Sequence, residues 1–205
     1  MNVTASESAE PARAPERSAA DTRRRLLASG TQLFASKGLQ KTTTVDIARG
    51  AGVAAGTYYL HFKDKHELFR EIVLAAFDDL RERLRHAGSH AGADPVAVVR
   101  ARMQELLAFA EENRAVVSVL FGRDHGAEGL AEEVFDLNVP AIEAGLRRRL
   151  GAQTTLDPVV TAQALAASWA RVVAWWVEDP DRAPRERVVD TLVELHPFSR
   201  RPEHG

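Results

Sequence analysis

From residue 21 onward the chain sets apolar side chains at helical spacing. Leu26, Leu27, Leu33 and Phe34 recur three and four residues apart and predict one buried face of a first helix ending at Gly38. Thr43, followed three residues later by Asp46, predicts a capping-box-like start to a second helix, kept short by Gly50 and Gly52. Residues 53–60 fit a third short helix. Asp64 as N-cap, with Glu67 three residues on, opens a long fourth helix that carries Leu68, Ile72, Phe77, Leu80 and Leu84 on one face to about residue 86. The same period predicts helices over 95–112, 114–121, 128–150 (with Pro140 as a kink or interruption), 158–177 and 184–196. No period-two alternation and no hairpin dipeptide occurs. The expected fold class is therefore all-α, with about nine helices: an N-terminal three-helix helix-turn-helix unit and a C-terminal helical domain.

Composition refines this picture at the ends. Residues 1–20 are rich in Ala, Ser, Glu and Pro and offer almost nothing to bury, which predicts a disordered tail. The 205 residues are 45% hydrophobic, enough for a sizeable core. Cysteine is absent, which excludes disulfides, thiolate metal sites and cysteine nucleophiles and fits a reducing compartment. No run resembles a signal-peptide core or approaches the ~20 apolar residues of a membrane span, so a cytoplasmic protein without a membrane partner is expected. The formal net charge of −2 hides an asymmetry. Residues 1–65 hold ten Lys or Arg against six Asp or Glu, whereas the remainder holds 17 against 23. The basic end is where contacts to a phosphate backbone are expected.

Catalytic chemistry finds little support. No Gly-rich loop follows a strand, and neither a Ser-His-Asp set nor a carboxylate pair can be argued from spacing. His86 and His90 have the spacing of a helical metal pair but lack a third ligand. No enzyme activity, no metal and no cofactor are expected.

Residues 43–62 supply the parts of a helix-turn-helix. Ile47 and Ala48 face the first helix, Ala51 and Gly52 allow a tight turn, and Val53 closes a small core. Thr57, Tyr58, Tyr59 and His61 remain as polar groups on the second helix and its end, with Tyr58 reading equally as a core aromatic. On these residues, segment 21–69 resembles the DNA-binding domain of the TetR family of repressors. The matching positions are Leu33-Phe34-Ala35, Gly38, Thr43, Thr44, Ile47-Ala48, Ala51-Gly52-Val53, Gly56-Thr57, Tyr59, His61-Phe62, Lys65 and Leu68. The resemblance implies that Thr44 and Lys65 hold phosphates, that Tyr59 and His61 lie on the backbone, and that Ala55, Gly56 and Thr57 approach base edges. Thr43 and Tyr58 complete the candidate set. Ala54 stands where the family usually has Ser, so the recognition helix lacks its N-cap, a loss of about 0.5–2 kcal/mol.

The resemblance assigns residues 70–205 to effector binding and dimerisation. It implies that the last two helices form a four-helix bundle with a second copy, through Trp175, Trp176, Val188, Val189, Leu192 and Val193. That arrangement would set two recognition helices ~34 Å apart on a palindromic operator of double-stranded DNA. Candidate effector contacts, chosen as inward-facing positions, are Met103, Leu107, Phe121, His125, Phe135, Asn138 and Trp169. The function so implied is that of a homodimeric repressor released by a small apolar or amphipathic molecule. A ligand-independent dimeric DNA-binding protein is the alternative, and an enzyme or carrier that borrowed the helical domain is a third.

Overall fold

A computed structural model describes residues 13–122, 127–150 and 155–199, and these fold into helices without a strand among them. The order is α1 (Arg13–Lys37), α2 (Thr44–Gly50), α3 (Ala55–Tyr58), α4 (Lys65–His90), α5 (Pro95–Glu112), α6 (Arg114–Phe121), α7 (Glu128–Arg149), α8 (Pro158–Glu178) and α9 (Arg185–Glu194), with short 3-10 turns at Pro180–Arg182 and Pro197–Ser199. Two compact units divide within α4, between Phe69 and Arg70.

Local chemistry explains most helix starts. Thr43 caps α2 in a capping box, its hydroxyl accepting from the Asp46 N–H at 3.1 Å. Asp94 and Asp157 cap α5 and α8 and are each followed by Pro at the first helical position, where the missing N–H costs nothing. Two boundaries differ from expectation. Helix α1 begins at Arg13, so residues 13–20 of the expected disordered tail are helical; extending a helix already packed along its length adds residues without a new nucleus. Residues 1–12 lie outside the described part. Helix α4 runs on to His90, past Gly88, because that glycine lies within the helix and under the Arg102 guanidinium.

In the N-terminal unit, Leu26, Phe34, Ile47, Tyr58, Phe62, Leu68 and Phe69 are all buried. The Phe34 and Phe69 rings meet edge to face at 5.3 Å. Helices α1 and α2 approach so closely that a Cβ on Gly50 would lie 2.3 Å from Ser29 Oγ, while that hydroxyl donates to the Ile47 carbonyl at 2.9 Å. Gly52 takes φ +67° in the turn that follows, a conformation other residues adopt only with strain.

In the C-terminal unit, α8 is central, packing against α5, α6 and α7, and α9 lies on α5. This arrangement corrects the expected dimer surface. Trp176, Val188, Val189, Leu192 and Val193 are 5% exposed or less, so they have no surface left to give a second copy. One chain already covers them: Trp176 donates its ring N–H to the Ala183 carbonyl at 2.9 Å, and the apolar stripe of α9 faces α5. Trp175 is half-buried, with the Arg182 guanidinium over its ring. The outward face of α8 consists instead of Val160, Gln163, Ala164, Ala167, Ser168 and Arg171.

Candidate nucleic-acid interface and interior cavity

Helix α3 presents its outer side to solvent through Ala55, Gly56 and the flanking Ala54, with no side chain capping its start. The spacing of Tyr58 and Phe62 sends both rings into the core, and this forces Tyr59 and Leu60 outward, 60% and 82% exposed. Tyr59 sits at the C-cap of α3 and Thr44 at the first position of α2, and their hydroxyls meet at 3.0 Å. Two short elements thus present one polar pair on the surface. A Cβ added to Gly56 would meet nothing within 4 Å, so packing inside the unit gives no reason for a glycine there. Glycine in a helix costs about 1 kcal/mol relative to alanine, a cost that no contact within the unit offsets.

Several candidates are placed differently from the reading of the sequence. Tyr58 is wholly buried, its hydroxyl donates to the Asp64 carbonyl at 2.8 Å, and burial pushes its pKa up; it is a core aromatic and cannot reach a base. Lys65 donates to three carbonyls, those of Leu39, Gln40 and Thr42, at 2.9, 3.0 and 3.1 Å. An ammonium has three protons, so this one clamps the loop between α1 and α2 instead of offering a phosphate a free donor. The Thr43 hydroxyl is committed to its capping box, where the hydrogen bond it makes holds the Asp46 carboxyl below its ordinary range. Thr44, Thr57 and His61 are half-exposed, and Lys41 and Lys63 stand exposed nearby in sequence. Leu60 was missed by the sequence reading, although the core register of Tyr58 and Phe62 was the signal that would have found it.

The C-terminal unit contains a partly open cavity of about 460 Å³. Of the expected effector contacts, Met103, Phe121, Phe135, Asn138 and Trp169 are on its wall. Leu107 is not; it is fully buried in the surrounding core. His125 lies outside the described residues. Much of the wall is aromatic, with Phe77 against both Phe109 and Phe121, and Phe121 against Phe135, at centroid distances of 5.3, 6.1 and 5.4 Å. The sequence reading also missed the cationic side of the wall and its histidine: Arg102, Arg148, Arg149 and His196. Arg102 had a legible signal, because it occupies the apolar stripe of α5 beside Val98, Val99 and Met103.

A helix-turn-helix unit joined to a helical unit with an apolar cavity is the class of protein this geometry defines. Residues 26–72 match the family described as bacterial regulatory proteins, tetR family. It is 32% identical over 114 residues to the HTH-type transcriptional regulator AcrR of Shigella flexneri, covering 54% of this chain and 53% of that protein. The chain thus spans about half the length of that relative. The fold matches native NalD, the secondary repressor of the MexAB-OprM multidrug efflux pump in Pseudomonas aeruginosa, with a TM-score of 0.68 and 25% identity over 92% of this chain and all of that one. It also matches the transcriptional regulator FadR from Bacillus subtilis in complex with stearoyl-CoA, with a TM-score of 0.70 and 17% identity over 84% and 96% of the two chains.

Proposed function

We propose that this protein is a sequence-specific DNA-binding transcriptional repressor that acts as a homodimer and leaves its operator when a small amphipathic molecule enters the C-terminal cavity. The observation that carries the DNA half is the outer side of α3, where Gly56 lacks an internal reason to be glycine and Tyr59 and Leu60 project beside the Thr44 hydroxyl. Thr44 and Tyr59 contact phosphates; Ala55, Gly56 and Thr57 lie at base edges, and Leu60 supplies an apolar contact of the kind a thymine methyl accepts. The cavity supports the effector half, as does the stearoyl-CoA complex of a fold neighbour. An effector can act only by binding the released conformation more tightly than the DNA-bound one. The outward face of α8, with Val160 and its small Ala164 and Ala167, is the surface assigned to the second copy.

The test is an electrophoretic mobility shift on DNA from upstream of the protein's own gene, comparing wild type with Tyr59→Ala at fixed salt. Retention of a discrete complex that the variant loses at least tenfold, about 1.4 kcal/mol, is the expected result. Equal binding by both proteins would remove α3 from the interface.

A further inference from the structure

The polar part of the cavity wall has a composition that packing alone does not require. Arg102 comes from α5, Arg148 and Arg149 from the last turn of α7, and His196 from the segment after α9. They gather on one side: the Arg149 guanidinium lies over the Phe198 ring, Phe198 touches His196 at 4.6 Å, and His196 stacks on Trp169 at 6.0 Å with the planes 13° apart. Other arginines on the wall are neutralised, Arg81 by Asp78 and Arg85 by Glu82, and Arg147 beside the cluster pairs with Glu143. Among the described residues no carboxylate pairs with Arg102, Arg148 or Arg149. Arg102 has only the Leu84 carbonyl, at 3.3 Å, and its guanidinium is pulled down by burial and then by the charges of Arg149 and Arg148. Gly88 leaves the room it occupies; a Cβ there would fall 2.7 Å from its Nη2.

His196 points the same way. Its Nδ1 accepts from the Phe198 N–H at 3.3 Å, which leaves the ring proton on Nε2 as a donor. Burial and the neighbouring arginines keep the ring neutral, with its pKa pushed down to about 4. Arg102 is half-buried without a counter-charge, while Arg148 and Arg149 reach the same side from exposed positions, so an anion entering beside the aromatic wall would meet three unneutralised guanidinium groups and one N–H donor. The dipole of α7 accounts for cations at its last turn, but it does not account for Arg102, which belongs to another helix.

We infer that the cavity selects an amphiphile with an anionic head, carboxylate or phosphate, held by Arg102, Arg148, Arg149 and the His196 Nε2–H while an apolar tail lies against Phe77, Phe109, Phe121 and Phe135. This rests on the reading of the cavity as an effector site and adds that charge, and not apolarity alone, decides which molecules enter.

Isothermal titration of the full chain with four ten-carbon ligands tests it: decanoate, decyl phosphate, decanol and decyltrimethylammonium, each below its micelle threshold. At least one anion binds about tenfold more tightly than decanol at pH 7.5, and the ammonium binds least. Tighter binding by decanoate assigns a carboxylate head, and tighter binding by decyl phosphate a phosphate head. In Arg149→Gln, an exposed position that can change without disturbing the core, the preference falls toward onefold; Arg102→Gln does the same if it folds. Equal or better binding by decanol or by the ammonium overturns the inference, as does binding by none of the four. DNA retention by the same preparation without ligand is scored separately, so a failed regulator reading and a failed anion preference give different results.

Discussion

In the N-terminal unit the half-buried Lys65 gives all three of its protons to backbone carbonyls of one loop, and Arg25 donates to the Ala51 carbonyl at the turn. In the C-terminal unit Arg102, comparably buried, has one long carbonyl contact and two further arginines as its electrostatic neighbours. The first unit consumes positive charge to hold its own backbone; the second leaves positive charge facing a cavity. A cation that is fully hydrogen-bonded within the chain shapes a surface, whereas a half-buried one without a counter-charge is open to an anion from elsewhere. The chemistry of binding is therefore sought on the first unit among hydroxyls, glycine and apolar tips, and on the second among guanidinium groups.

Four outcomes sharpen or break this contrast. Trp176→Ala should lower stability by about 3–5 kcal/mol in chemical denaturation, as for a large core aromatic. A small loss of stability with a large loss of dimer would return Trp176 to an interface. Lys65→Met should cost about 2–3 kcal/mol by leaving its carbonyls unpaired, with an unchanged salt dependence of DNA binding. A salt slope shallower by about one, with normal stability, would make Lys65 a phosphate ligand and erase the difference between the units.

The third outcome concerns pH. His196 is neutral in the native protein down to about pH 4, whereas in the unfolded chain it takes up a proton near its ordinary 6.5. Between those values the unfolded state binds more protons, so stability falls as pH falls through this window, by on the order of 2 kcal/mol. His196→Gln should flatten that part of the pH profile in thermal melts. The smallest effect is Gly56→Ala, which should raise stability by up to about 1 kcal/mol and weaken operator binding in the same mobility-shift assay. Unchanged operator binding would show that no partner comes close to α3 at that position.

How far each region could be read from sequence follows the same division. The turn at Gly52, the cap at Thr43 and the outward Tyr59 are set by neighbours within a few residues, so local pattern reveals them. Tyr58 and Lys65 were harder, because their roles depend on carbonyls brought close by the fold: that of Asp64 for Tyr58, and those of the loop between α1 and α2 for Lys65. For α8 and α9 the pattern correctly marks apolar faces but cannot say which surface covers them, and α5 of the same chain does so for α9. The cavity wall was legible as inward positions such as Met103 and Trp169. Of its cationic side only Arg102, set in the apolar stripe of α5, was legible; the cluster was not, since it is assembled from three separate parts of the chain.

The stack of Trp169 on His196 has a photophysical consequence. An indole in face contact with a neutral imidazole emits, while a protonated imidazole accepts an electron from the excited indole and darkens it. The other two indoles are held elsewhere, one bonded to the Ala183 carbonyl and one beneath Arg182. The chain thus contains its own optical gauge at the cavity wall, and a time-resolved emission trace of Trp169, isolated by replacing both Trp175 and Trp176 with Phe, would register changes at that wall without any added dye.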